Sequence, residues 1–253
     1  MFTSAVRMST TSSNVPALQD LCAECPRKSE CGFNGLEAWA AGKLLPLIVV
    51  TRYQADQNVI TEGAPANGLR VVCGGIVMVS SLTEKGEEAA LALLGAGGIL
   101  DVTDGFLGRP VSSVSAKALT ETIVLFVKPE ILHERVKAEP DLMVKLCRQV
   151  VSQMGHIQER YIRLWSLSAL SRVGHALLDL VQASGQTASG KVVLPIRLKR
   201  SLLAQIAGTT QETISRTMVS LRKRRLIQQS DRQITIPNVD RLRSMVAKNT
   251  PRS

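Results

Sequence analysis

Three of the chain's five cysteines, Cys22, Cys25 and Cys31, stand together in "LCAECPRKSEC" with the spacing C-x2-C-x5-C. Thiols this close in a reducing compartment serve metal or redox chemistry more readily than a structural disulfide. Three cysteines and one further group would suit tetrahedral zinc. The only histidines, His133, His156 and His175, are remote in sequence, so no fourth zinc ligand is evident. Reversible thiol oxidation, or an inert cluster, is the remaining option. Of the other two cysteines, Cys73 precedes Gly74 and Gly75 and reads as a small buried strand residue, and Cys147 reads as a packing residue on a helix.

A second constellation lies near the other end. Glu212, Ser215 and Arg216 fall at i, i+3 and i+4, on one face of a helix near its N-terminus, directly after Gln211. Arg can bond twice to guanine, Glu can accept from cytosine, and Ser is a short adaptable contact. The alternative is a capping box, Thr209-x-x-Glu212, with Glu212 serving only backbone N–H groups. Basic neighbours favour the nucleic-acid reading: Arg197, Lys199 and Arg200 before the pair of helices, and "RKRR" (222–225) after it. Residues 167–253 hold 15 Lys and Arg against 4 Asp and Glu, whereas residues 1–166 hold 16 against 17. The whole positive excess therefore sits at one end, and double-stranded DNA is the polyanion it suits.

The elements that must position these groups follow from the pattern. Residues 1–20 are Ser/Thr-rich and are expected to be mobile. "GLEAWAAGKLL" reads as a short helix. Between Thr51 and Lys128, short Val/Ile/Leu runs alternate with glycines, as in a β-barrel or jelly roll. "LRVVCGGIVMVSS", "EEAALALLGAGG" and "ETIVLFV" are strands, with a hairpin turn at "TEKGEE". A long helix runs from about Ala138 to Leu167. On it Met143, Cys147, Val150, Met154, Ile157, Tyr161 and Leu164 step by four and three, a seam that predicts a parallel homodimer. An amphipathic helix, the loop "ASGQTASG", a strand, two helices about Gly208, a strand pair about Asp231 and a last helix complete a winged helix-turn-helix. The expected fold is α+β, with boundaries at 21–138 for the cysteine loop and barrel, 139–166 for the dimerisation helix and 167–253 for the DNA-binding domain.

The order barrel, seam helix, winged helix-turn-helix, together with "QIAGTTQETISRTMVSLRKRRLI", resembles the CRP/FNR family of bacterial transcription regulators over most of the chain. "ETISR" is similar to the FNR branch. The resemblance implies a cyclic-nucleotide-binding-like barrel, an RNA polymerase partner and a TTGAT half-site with its inverted repeat, read by Glu212, Ser215 and Arg216. Gln211 stands where CRP has Arg, which favours the FNR-type site. It also implies that the cysteine trio holds an oxygen-labile [4Fe–4S] cluster with a fourth cysteine. The family's fourth position looks like Phe126 here, so the fourth ligand is open among Cys73, Cys147, Glu24, Glu30, Asp141, another carboxylate or water. The phosphate-binding Glu and Arg-Ser of CRP have no match in "GGILDVTDGFLGRPVSSVSAKAL", and Arg109 is out of register, so no cyclic nucleotide is expected. An unpaired buried phosphate would be costly.

Other classes find little support. There is no catalytic triad, paired-carboxylate motif or phosphate-cradling loop, so an enzyme is not expected. The longest apolar run, "LLPLIVV", is far too short for a bilayer, and "MFTSAVRMSTTSSN" lacks a signal-peptide core, so no membrane partner and a cytoplasmic location are expected. The same architecture sensing nitric oxide through haem, or a small ligand in the barrel, is the alternative function.

Overall fold

The computed structural model describes residues 18–23, 25, 28–29, 31–34, 48–84, 86–186 and 190–248. The expected mobile stretch falls, at 1–17, outside the described residues; residues 18–20 open a helix instead. The expected helix at 35–45 and part of the loop 183–190 also lie outside them.

The chain begins with helix α1 (Leu18–Ala23). Two four-stranded antiparallel sheets then face each other. One has the order β1 (Ile48–Tyr53), β8 (Thr122–Val127), β3 (Leu69–Gly74), β6 (Ile99–Leu100). The other runs β2 (Asn58–Ile60), β7 (Ser115–Ala118), β4 (Val77–Leu82), β5 (Glu88–Leu94). The core between them is aliphatic: Val59, Val72, Val77, Ala116, Ala118 and Val124. The β4–β5 turn is the expected one, with Gly86 at φ +75 and Thr83 N–H donating to Glu87 O. A short helix α2 (Val102–Leu107) bridges β6 and β7.

The long helix expected at 138–167 is present from 141 to 166, and a helix that the sequence pattern did not single out comes before it. α3 (Pro129–Ala138) precedes α4 (Asp141–Ser166). Pro129 starts α3 because a first-turn residue needs no N–H partner. Pro140 lacks the N–H that would carry α3 onward, so the chain restarts there as α4. On α4, Leu142 and Leu146 are buried in the core of the first sheet with Leu69, Val71, Leu125 and Ile131. Gln153 clamps the helix to the barrel, accepting from Ile99 N at 3.2 Å and donating to Ile99 O at 2.9 Å.

The last unit contains α5 (Ala169–Ala183), β9 (Val192–Arg197), α6 (Arg200–Ala207), α7 (Gln211–Lys223), β10 (Gln228–Ser230), β11 (Gln233–Ile236) and α8 (Val239–Lys248). Its three strands form a separate sheet, β10-β11-β9. Ile76, Met78, Ala90 and Leu119 of the barrel share one core with Leu177, Leu203, Ile206 and Leu221, so this unit docks against β4 and β5. Among the described residues, no helix is long and apolar enough to cross a membrane.

Candidate nucleic-acid interface and thiol site

α6 and α7 meet at Gly208, whose φ of +60 is the left-handed conformation that ends α6. Thr210 caps α7, its hydroxyl accepting from Thr213 N at 3.2 Å. The capping-box alternative that enlisted Thr209 and Glu212 is thus replaced by a cap one residue later, and Glu212 is left facing outward. Ile214, Met218 and Leu221 bury the inner face of α7. Gln211, Glu212 and Arg216 are exposed, and Ser215 is half-buried with its hydroxyl donating to Gln211 O at 2.9 Å. Arg216 and Glu212 stand 3.5 Å apart in an exposed pair. α7 therefore presents a short polar face at its N-terminal end, held by an aliphatic one. Arg200 is exposed at the start of α6, and Lys199 precedes it, 3.3 Å from Asp56 of the barrel.

The second site lies against the first sheet, at β3 and β8. Cys22, Cys25, Cys31 and Cys73 line one cavity of about 20 Å³ together with Lys28, Phe33, Asn34, Val71, Val72, Gly97 and Leu125. Backbone turns order the cysteine segment: Cys25 N donates to Cys22 O, Lys28 N to Cys25 O and Asn34 N to Cys31 O. Burial raises the Cys31 thiol, and neighbouring Cys25 and Cys22 raise it further against the lowering effect of backbone N–H donors. Burial pushes the Cys73 thiol up to about 12, with Cys31, Cys22 and Cys25 adding to the shift. Cys73 is therefore not an isolated core residue, as its sequence surroundings suggested, but a neighbour of the trio. Cys147 is exposed and apart. Phe126, the expected site of a fourth family cysteine, lies under Arg70, whose guanidinium carbon is 5.1 Å from the ring centroid; Leu125 is the β8 residue that faces the thiols. Glu24 and Glu30 lie outside the described residues. Among the described residues, no three His, Cys, Asp or Glu side chains gather tightly enough to hold one metal ion.

Three contacts tie this cavity to α3 and α4. A Cβ on Gly32 would stand 2.9 Å from a Leu146 δ carbon and 3.0 Å from one of Leu142, so the cysteine segment lies flat on the helix. Arg135 of α3 donates to Asn34 O at 3.3 Å. Gln149 Nε2 donates to the carbonyl of Gly97, which itself lines the cavity. Sequence patterning missed Gly32 and Gln149, because neither belongs to a recognisable motif.

The opposite exposed side of α4 is apolar. Met143, Met154, Ile157 and Tyr161 of the expected seam are exposed, at 39%, 57%, 41% and 62%. Val150 and Leu164 are half-buried: Val150 packs on the barrel core and Leu164 on Gly208. Val144, Val151, Ile162 and Trp165 are exposed in their place, Trp165 at 78%. The exposed stripe thus keeps Met143, Cys147, Met154, Ile157 and Tyr161 of the expected seam and has Val151 and Trp165 beside the two that turn inward.

The loop where the resemblance would place a nucleotide phosphate holds a carboxylate instead. Asp104, 1% exposed, accepts from Ser113 N at 2.8 Å and from Ser113 Oγ at 3.0 Å, with Arg109 at 3.6 Å. Next to it, Asp101 accepts from Arg70 at 2.5 Å and from Ser112 Oγ at 3.5 Å.

The comparisons agree with this architecture. Residues 171–245 match the model of a Crp-like helix-turn-helix domain, and residues 50–139 match that of a cyclic nucleotide-binding domain. The nitrogen fixation regulation protein FixK of Azorhizobium caulinodans is 27% identical over 195 residues, 76% of this chain and 77% of its own. A CRP-like cAMP-activated global transcriptional regulator of Mycobacterium tuberculosis is 22% identical over 210 residues, 83% of this chain and 93% of its own. The solved structure of FixK2 from Bradyrhizobium japonicum has the same fold, with a TM-score of 0.66 at 24% identity over 78% of this chain and 96% of its own. With a barrel that matches the cyclic nucleotide-binding domain model before a Crp-like helix-turn-helix, the chain belongs to the CRP/FNR family of DNA-binding transcription regulators.

Proposed function

We propose that the chain is a homodimeric, oxygen- or redox-responsive regulator of the FNR type, which reads a TTGAT-type inverted repeat and works with RNA polymerase in the cytoplasm. Glu212, Ser215 and Arg216 read bases, with Gln211 beside them, and Lys199 and Arg200 contact phosphates. Cys22, Cys25 and Cys31 hold a [4Fe–4S] cluster. Met143, Val150, Met154, Ile157, Tyr161 and Leu164 were the expected dimer contacts; the exposed stripe supports Val151 and Trp165 in place of Val150 and Leu164, the two that turn inward, with Val144 exposed beside Met143.

The observation that carries this reading is the position of the thiols. They lie against the inner face of a helix whose outer face is apolar and exposed. A single zinc ion needs its sulfurs to converge on one point, whereas a four-iron cluster takes one sulfur per iron around a larger body. Thiols that ring a cavity without converging suit the second, and the donor set is all sulfur. The space present, about 20 Å³, holds one water, so the cysteine segment must move away from β3 to admit a cluster. Such a cluster supplies a redox-labile cross-link between segment and barrel. Through Gly32 and Arg135, that displacement reaches α4 and biases the dimer.

A cyclic nucleotide has no part in this reading. The donors of the α2–β7 loop already serve the carboxylate of Asp104, which would repel a phosphate placed beside it.

Anaerobic protein should be brown, bleach in air, and bind an inverted TTGAT repeat more tightly before bleaching than after. A colourless protein that binds the repeat no better than scrambled duplex under both conditions would overturn the proposal.

A further inference from the structure

We propose that Cys73 is the fourth thiolate of the cluster, presented by a β-bulge in β3 to the cavity that Cys22, Cys25 and Cys31 line from the other side. This rests on the cluster reading above.

The register of β3 against β8 carries the argument. Val71 pairs with Leu125 and Val72 with Val124, but Gly74 pairs with Ile123. Two residues advance on β3 for one on β8, and Cys73 is the extra residue. Bulges leave such a residue unpaired in the ladder and re-aim its side chain, and they recur beside functional sites. By strand alternation Cys73 shares its face with Leu69 and Val71, which belong to the core under the cysteine segment. Cys22 and Cys31 pack on that same core. The thiol is thus brought to the trio by strand parity, by the bulge and by a shared cavity. The hydrogen bond its Sγ donates to Val71 O, at 3.9 Å, is weak.

The other acceptors and donors facing the cavity are ill suited. Among the described residues, Lys28 is the one ionisable lining residue besides the cysteines, and it is cationic. Cys147 is exposed on α4 and does not line the space. Asp141 starts the same helix and does not line it either. Among the described residues, the candidate that lines the cavity is thus on β3, the strand beside β8; the family resemblance had placed the ligand on β8. Each sulfur binds iron as the thiolate, its proton leaving to solvent.

The test uses the full chain, reconstituted without oxygen from ferrous iron and sulfide. Uptake of acid-labile sulfide by the unsubstituted chain is required; none would sink both this inference and the cluster reading. In the Cys147→Ser chain the remaining cysteines are Cys22, Cys25, Cys31 and Cys73. Labelled with 13C-cysteine, the loaded form should show hyperfine-shifted β-carbon signals from all four. Three shifted and one ordinary signal, or failure of this chain to load, would overturn Cys73 while leaving the cluster in place. Cys73→Ala should lose the visible absorbance and the bound sulfide. A Cys73→Ala chain that loads as fully as the unsubstituted one would likewise overturn the inference.

Discussion

α4 and α7 are both amphipathic helices with one face bound to their own chain, yet their free faces are opposite in character. α7 turns Gln211, Glu212 and Arg216 outward; α4 turns Val144, Val151, Met154, Tyr161 and Trp165 outward. A polar, hydrogen-bonding face near a helix N-terminus, set in a basic unit, suits a groove lined by base edges and phosphates. A long apolar face suits another protein surface, and its heptad spacing suits a copy of itself. The difference between the two helices separates the two partners.

The largest expected effect tests the register of the α4 stripe. Val151→Glu puts a carboxylate into the proposed dimer contact on both copies, at a cost of about 4 kcal/mol, a thousandfold or so in the dimer constant. Sedimentation should find a folded monomer. Val150→Glu, one residue away, points into the barrel core and should instead lower the melting temperature of the chain. If Val150→Glu gave the folded monomer and Val151→Glu did not, the stripe would lie in the register expected from sequence.

Next comes the inner face of α4. Leu146 is fully buried and touches both the barrel core and the cysteine segment. Leu146→Ala should cost roughly 2–5 kcal/mol of stability, read by denaturant unfolding. A cost below about 1 kcal/mol would mean that this face is not packed as described.

On α7 the effects are smaller and sequence-dependent. Arg216→Ala should lose about 1–3 kcal/mol on the inverted repeat and relax the choice at a G·C pair, with little change on random duplex. Equal losses on both would make Arg216 a phosphate contact.

How far these helices could be read in advance differs for a physical reason. α7 was legible because its signals are local: a glycine turn, a polar i, i+3, i+4 set and a basic run. Only its cap was misplaced, by one residue, since Thr209 and Thr210 are chemically equivalent in sequence. The α4 seam was legible in period, and five of its seven positions, Met143, Cys147, Met154, Ile157 and Tyr161, are exposed. Two adjacent stripes, one through Val150 and Leu164 and one through Val151 and Trp165, share Cys147, Met154 and Tyr161. Which one is covered depends on the barrel beneath. α3 went unseen because its short helical run joins the next helix with only Glu139 and Pro140 between them. Cys73 stood among several open candidates and could not be singled out, for the same kind of reason. Its distance from the trio is long in sequence, and a bulge in strand pairing leaves no mark in composition. Asp104 reads as one more loop carboxylate until Ser113 is seen to bond to it.

The smallest effect lies where the two halves of the chain touch. Lys199, an expected phosphate contact, is held 3.3 Å from Asp56 on the barrel, both side chains being more than half exposed. An exposed pair of this kind is worth about 0–1 kcal/mol, so DNA phosphates can take Lys199 from Asp56 at little cost. Lys199→Ala should therefore weaken specific and random duplex alike, and reduce the dependence of binding on salt by about one ion per protomer. Asp56→Asn removes the competitor and leaves the lysine, so it should tighten all duplexes by a few tenths of a kcal/mol, an effect that fades as salt rises. If Asp56→Asn left affinity unchanged at low salt while Lys199→Ala lowered it, the ion pair would be irrelevant to the DNA-bound form. If neither substitution mattered, the phosphate contacts would begin at Arg200.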